Sequence, residues 1–216
     1  MHIAILGATR NVGKAFVEQA ISKEDTEITI LVRNPEKLTY TEEQLSKITV
    51  VKGDALVKDD VVKTIGNADI VLFTLGARIG ILKTAPDTGI ESAGAQVVID
   101  AIKEKRAANP PRFIMVSSTG AGGLYDVPYL LRPLYIIALH TPHNNKAVAE
   151  DAIKKSSIPF TIVRPALFTN GETTKKYRAG LDVSGYTISR NDLAHFILEE
   201  CVIEGKYRNE SPSIAY

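Results

Sequence analysis

An α/β fold with a parallel sheet covered by helices on both faces is what this sequence predicts, and three observations predict it. Short β-branched runs alternate along the chain with amphipathic segments. Some of those runs are apolar throughout, as in Ile70-Val71-Leu72-Phe73 and Phe113-Ile114-Met115-Val116, which suits strands buried on both faces. The first run, Ile3-Ala4-Ile5-Leu6, passes straight into a glycine-bearing turn and then a helical pattern.

Strands are expected at 2–6, 27–32, 48–52, 69–74, 112–117, 159–164 and 185–189. Helices are expected near 12–23, 58–66, 88–106, 144–156 and 191–203. The helix at 88–106 has the clearest pattern. Ile90, Ala93, Val97, Ala101 and Lys105 recur at spacings of three and four, leaving Glu91, Lys103 and Glu104 off the apolar stripe. Pro110-Pro111 ends that connection, and Asn191-Asp192 offers capping oxygens to the last helix. No repeat, low-complexity tract or flexible linker interrupts the pattern, so residues 1–216 read as one domain.

The 26 basic and 25 acidic residues leave a formal charge of +1, which gives no field for a nucleic acid or a membrane surface. No run reaches the ~18 apolar residues of a membrane span. Cys201 is the lone cysteine, so no internal disulfide is possible, and no cationic, apolar leader pattern precedes the first strand. The expectation is a cytoplasmic protein, monomeric or a homodimer.

The stretch 119–143 stands apart. Gly120, Gly122, Gly123, Pro128, Pro133 and Pro142 punctuate an apolar run containing Tyr125, Tyr129, Leu130, Leu131, Leu134 and Tyr135. Such a connection after the fifth strand either covers a ligand pocket at the carboxyl ends of the strands or forms a hydrophobic contact that stays shut.

Between the first strand and first helix lies Gly7-Ala8-Thr9-Arg10-Asn11-Val12-Gly13. Glycine at its start permits a tight turn, and glycine at its end lets the helix pack closely on the strand. The helix N-terminus then offers free N–H groups and a positive dipole end to a pyrophosphate, so a Rossmann-type dinucleotide site is expected here. The middle position, usually glycine, is Arg10: either its side chain turns outward onto the adenosine end, or the loop is less open than usual.

The second strand ends at Arg33, with Lys37 four residues on, where an NAD-preferring site carries an acid for the ribose 2′-hydroxyl. A guanidinium matches a 2′-phosphate and a carboxylate repels it, so NADP(H) is favoured. Asp54, at the third strand end, accepts from an adenine amino group or caps the helix near 58. His140 and His143 make a poor metal pair with no third ligand in view, Pro142 being expected to break the helix between them, and no metal site is assigned. They serve as loop or capping groups or as proton donors.

Taken in order, GATRNVG, LVRNPEKL, VKGDA, FTLGAR, FIMVSS and the pair Lys146 with Ile162-Val163-Arg164-Pro165 resemble the atypical short-chain dehydrogenases/reductases. The nearest group is the NAD(P)-binding, NmrA-like set that includes the biliverdin reductase B-like (flavin reductase-like) proteins. The likeness extends to Ile188-Ser189-Arg190-Asn191-Asp192 and the final tyrosine. It implies strand order 3-2-1-4-5-6-7, with NADPH along the carboxyl edge. Gly7, Thr9, Arg10, Asn11, Val12 and Gly13 would hold the pyrophosphate, and Arg33 with Lys37 the 2′-phosphate. Asp54, Ala55, Leu75, Gly76 and Arg78 would line the adenosine and ribose path. Ser117 and Ser118 would lie near the nicotinamide, walled by Pro165, Ala166, Leu167 and Phe168.

One departure matters. Related enzymes use a Tyr-x-x-x-Lys pair for acid–base work. Lys146 stands at the lysine position, and four residues earlier is Pro142, which has no proton to give. The expected function is therefore an oxidoreductase passing hydride from NADPH to a flat aromatic acceptor (flavin, quinone or tetrapyrrole), with Ser118, Ser117 and Lys146 as the catalytic candidates. The alternative is a non-catalytic NADP(H)-sensing regulator that binds another protein. A sugar-nucleotide epimerase is disfavoured because that chemistry relies on the absent tyrosine.

Overall fold

The computed structural model describes residues 1–76, 89–137 and 140–216, with the backbone alone at 140–142. Six strands pair in parallel: β1 (His2–Leu6), β2 (Glu27–Val32), β3 (Ile48–Lys52), β4 (Ile70–Phe73), β5 (Arg112–Val116) and β6 (Phe160–Pro165). Four short strands follow: β7 (Leu167–Thr169), β8 (Arg178–Gly180), β9 (Thr187–Ser189) and β10 (Ser213–Ala215). The main sheet runs β3-β2-β1-β4-β5-β6-β10-β8, parallel except for the β10–β8 pair. The expected order holds for its first six places. The seventh is a correction: residues 187–189 pair with β7 in a separate two-stranded ladder, and the chain's final strand takes the place beside β6 instead.

The helices are α1 (Asn11–Ala20), α2 (Glu42–Leu45), α3 (Lys58–Ile65), α4 (Ile90–Arg106), α5 (Arg132–Ile137), α6 (His140–Lys155) and α7 (Arg190–Phe196), the last continuing as π-helix over Ile197–Ile203. Strand periodicity sorts the core into two layers. Ile3 and Ile5 pack with Phe16 of α1 and Phe196 of α7, whereas Ala4 and Leu6 face the layer of Val61, Val98 and Ile153 from α3, α4 and α6. Both faces of the central strands are thus apolar, as their sequence demands. No helix among the described residues is long and apolar enough to cross a membrane.

Three local readings change. On α4 the buried face is Glu91, Gly94, Ala95, Val98, Ile99, Ala101 and Ile102, so of the expected stripe Ala101 is buried, Ile90 and Val97 are half-buried, and Ala93 and Lys105 are exposed. Two overlapping stripes at helical spacing were present, and packing against α3 and α6 selected the one lying a position away. Helix α6 starts at His140 and runs through Pro142, which falls in the first turn, where its missing N–H forfeits no intrahelical bond. The last helix is capped by Ser189, whose hydroxyl accepts from the Asp192 N–H at 3.0 Å, and not by Asn191-Asp192.

Candidate cofactor and active site

The turn after β1 is built by backbone shape. Gly7 sits at φ +110°, where a side chain is strained, and a Cβ there would lie 2.5 Å from Thr74 Oγ1. A Cβ on Gly13 would meet the Gly7 carbonyl oxygen and come within 2.5 Å of the same Thr74 oxygen. These two positions therefore exclude any side chain, and α1 lies directly against the end of β1. Tyr40 buttresses the turn from behind, its hydroxyl donating to the Ala8 carbonyl at 2.5 Å, and burial with Glu18 pushes its phenol pKa up. Nothing in the sequence pattern had pointed to Tyr40, and Thr74 stood only within the FTLGAR motif with no role of its own.

Along the carboxyl ends of β1 to β4 this turn opens into a cleft of about 610 Å³. Nine residues of the expected cofactor set line it: Gly7, Thr9, Arg10, Asn11, Arg33, Asp54, Ala55, Leu75 and Gly76. Thr74 and Ile90 join them. Arg10 and Arg33 are both exposed, so two guanidinium-bearing residues from different elements border one cleft. Val12 and Gly13 are buried and shape the turn from beneath. Lys37 is exposed on the turn after β2 and is not part of the lining. Arg78 lies outside the described residues.

Asp54 serves its own turn, Oδ1 accepting from the Leu56 N–H at 2.9 Å, while Asp60 accepts from the Asp54 N–H at 3.0 Å. A carboxylate has acceptor capacity beyond one such bond, so its place in the lining keeps it available to a ligand. The cap on α3 that it was an alternative candidate for carries no side-chain hydrogen bond.

Beside this cleft the end of β5 is built from side chains. The ladder continues past the strand, Ser117 N–H donating to Val163 (2.8 Å) and Thr119 N–H to Pro165 (3.0 Å). Phe73 pairs with Met115 at the carboxyl ends of β4 and β5, so Thr74–Gly76 of the cleft lining and Ser117–Thr119 continue from the ends of neighbouring strands. Ser117 is fully buried and its hydroxyl donates to Glu150 Oε1 at 2.6 Å. Its donor is thus committed to a buried carboxylate and its side chain has no exposed surface, which leaves Ser118 as the accessible hydroxyl of the pair. Ser118 is partly exposed and shares a hydrogen bond of 3.2 Å with His143 Nε2.

Glu150 of α6 also takes two hydrogen bonds from the guanidinium of Arg164 (3.1 and 2.5 Å) and one from Lys154 (3.3 Å). Asp126 stands 3.8 Å from the same guanidinium and accepts from the Gly120 N–H at 2.8 Å. Burial pushes both carboxyls up and the guanidinium down, so the bidentate pairing is what supports charge here. Lys146 Nζ donates to the Ser117 carbonyl at 3.3 Å. Burial pulls its pKa down while Glu91 and Glu150 hold it up. Glu91, 1% exposed, reaches the cleft wall as well: a Cβ on Gly76 would lie 3.5 Å from its Oε1.

Lys146, Pro165, Ala166 and Leu167 thus sit at the β5–β6 end, next to the cleft and not in its lining. Leu167 packs instead on Val127 and Tyr135, so the 119–143 segment is anchored to β6–β7. Tyr129, Leu130 and Ile137 of that segment are exposed, and none of its described residues lines the cleft.

A glycine turn between strand and helix, opening on a cleft at the switch between β1 and β4, defines a Rossmann-type dinucleotide-binding protein. The chain belongs to the NAD(P)H-binding family, which it matches over residues 7–202. It is 27% identical over 204 residues to the reductase pytE of Aspergillus terreus, covering 78% of each chain. Its fold is that of a short-chain dehydrogenase/reductase from Veillonella parvula solved in complex with NADP, with TM-score 0.81, 18% identity, and coverage of 100% of this chain and 94% of that one. The fold is shared with ChuY, an anaerobilin reductase of Escherichia coli O157:H7, at TM-score 0.79 and 21% identity over 99% of this chain and 96% of the other.

Proposed function

We propose that this protein is an NADPH-dependent reductase that passes hydride to a flat, conjugated acceptor such as a flavin, quinone or tetrapyrrole. The observation that carries the reading is the cleft in which the glycine turn, the start of α1 and the two residues Arg10 and Arg33 converge. The cradle fits the cofactor, since the space a Cβ would need at Gly7 and Gly13 is already taken by protein and the pyrophosphate meets backbone N–H groups. Thr9, Arg10 and Asn11 hold the pyrophosphate, with Val12 and Gly13 setting the turn. Arg33 takes the 2′-phosphate, and Asp54, Ala55, Leu75 and Gly76 flank the adenosine and ribose. Lys146, Pro165, Ala166 and Leu167 bound the nicotinamide end, with Ser118 as the hydroxyl facing the reaction. Bound NADPH supplies the hydride, and the protein supplies position and electrostatics.

The relative named as a reductase and the anaerobilin reductase of the same fold support the reaction class. Pro142 supports an acceptor whose reduction needs little side-chain acid; it also favours the competing reading of a non-catalytic NADP(H) sensor. An NADPH-oxidation assay across flavin, quinone and linear tetrapyrrole acceptors decides. Turnover with one class supports the reductase, whereas tight NADPH binding without turnover on any of them overturns it in favour of the sensor. Titration with NADPH and NADH checks the cofactor, and a preference for NADH overturns the assignment of Arg33.

A further inference from the structure

Pro142 removes the tyrosine that related enzymes use, yet the same turn of α6 carries another ionisable group one residue later. His143 is 8% exposed and lies three residues before Lys146, a spacing that places both on one side of the helix. Its Nε2 meets Ser118 Oγ at 3.2 Å, while Lys146 Nζ holds the carbonyl of the adjacent Ser117. The imidazole is fixed in plane by Tyr135, stacked at a centroid distance of 5.0 Å and an interplanar angle of 6°. Tyr135 is itself pinned by a hydrogen bond of 3.0 Å between its hydroxyl and Thr119 Oγ1, and burial pushes its phenol pKa up, so it is a support and a poor acid. Ser118 is the partly exposed member of this group and follows the end of β5, the strand beside β4, whose own end continues into the cleft lining at Thr74–Gly76.

We infer that His143 replaces the missing tyrosine as the proton source, acting through Ser118. This rests on the reductase reading above. A neutral acceptor that has received hydride is left as an anion one proton short. The Ser118 O–H bond breaks as the acceptor–H bond forms, and the His143 Nε2–H bond breaks as the Ser118 O–H bond reforms. The imidazolium becomes a neutral imidazole and regains a proton from solvent between turnovers. His143 is thus a relay group behind Ser118, and Tyr135 and Thr119 position it. The sequence held this residue among several possibilities; the 3.2 Å contact with Ser118 and the aromatic stack single it out.

The test compares two acceptors. A neutral quinone needs a hydride and a proton, whereas a cationic tetrazolium dye becomes neutral on taking hydride alone. His143→Gln should slow quinone reduction about 100-fold more than it slows tetrazolium reduction, and Ser118→Ala should show the same split without disturbing the aromatic stack. A readout independent of turnover accompanies it: in nitrogen-15 NMR of the apo protein, Ser118→Ala should shift the His143 Nε2 resonance. Equal loss on both acceptors, or none on either, overturns the relay, as does an unmoved Nε2 resonance. If the unaltered protein reduces neither acceptor, the reductase reading itself fails and the relay with it.

Discussion

At the β1–β4 end of the sheet the cleft is shaped mostly by main chain: two glycines with no room for a side chain, a helix start, and arginines that reach in from the exposed rim. At the β5–β6 end, one strand away, buried side chains do the same work, with Glu150 tying Ser117, Arg164 and Lys154 together and Asp126 drawing in the loop at Gly120. The glycine turn of the first arrangement is local in sequence, because it spans residues 7–13. The second joins residues 117, 126, 150 and 164 from four segments. The difference teaches that a turn and helix start shaped by main chain can be specified by a few neighbouring residues, whereas buried charged side chains need a network drawn from distant segments.

Four measurements break or sharpen that contrast. Arg164→Leu leaves Glu150 and Asp126 buried without their guanidinium and should cost about 4 kcal/mol in urea unfolding. A loss under about 1 kcal/mol would show that the network is dispensable and the contrast false.

Asp192 extends the same rule to the chain's end. It accepts from the Thr174 hydroxyl, from the Thr174 and Lys175 N–H groups, and from the Tyr216 hydroxyl. Burial pushes its carboxyl up, but the hydrogen bonds from Tyr216 and Thr174 outweigh it and leave the pKa below the ordinary value. A group lowered in this way binds its proton less well folded than unfolded. Its contribution is therefore complete above the unfolded pKa of about 4 and is lost as pH falls through the folded value. Asp192→Asn should remove about 3 kcal/mol at pH 7 and flatten the acid limb of the stability–pH curve. An unchanged acid limb would remove Asp192 from the class of network residues.

Gly13→Ala should cost about 2 kcal/mol and push α1 off β1, with NADPH affinity falling at least about tenfold. Retained affinity would mean that the turn is not what holds the cofactor. The smallest effect belongs to the rim. Arg33→Ala should weaken NADPH by about 1.5 kcal/mol, roughly tenfold, and leave NADH unchanged. An equal loss for both cofactors in calorimetric titration would assign Arg33 to the pyrophosphate and not to the 2′-phosphate.

The sequence by itself determined the fold class and the glycine turn, since strand and helix periodicities and the needs of a tight turn are set by neighbours in the chain, and the strand order implied by its resemblance to the atypical short-chain dehydrogenases/reductases held for the first six places in the sheet. It also marked Arg33 and the vacancy at Pro142. It misread the buried face of α4, where two stripes shared one spacing, and it put the wrong strand in seventh place, because pairing at a sheet edge depends on which distant segment arrives there. Ser117 and Ser118 stand side by side in sequence, yet the fold commits one hydroxyl to Glu150 and hands the other to His143. Only tertiary structure decides that, because adjacent residues of an extended segment point to opposite sides, and what waits on each side comes from α6, 33 residues on for Glu150 and 25 for His143.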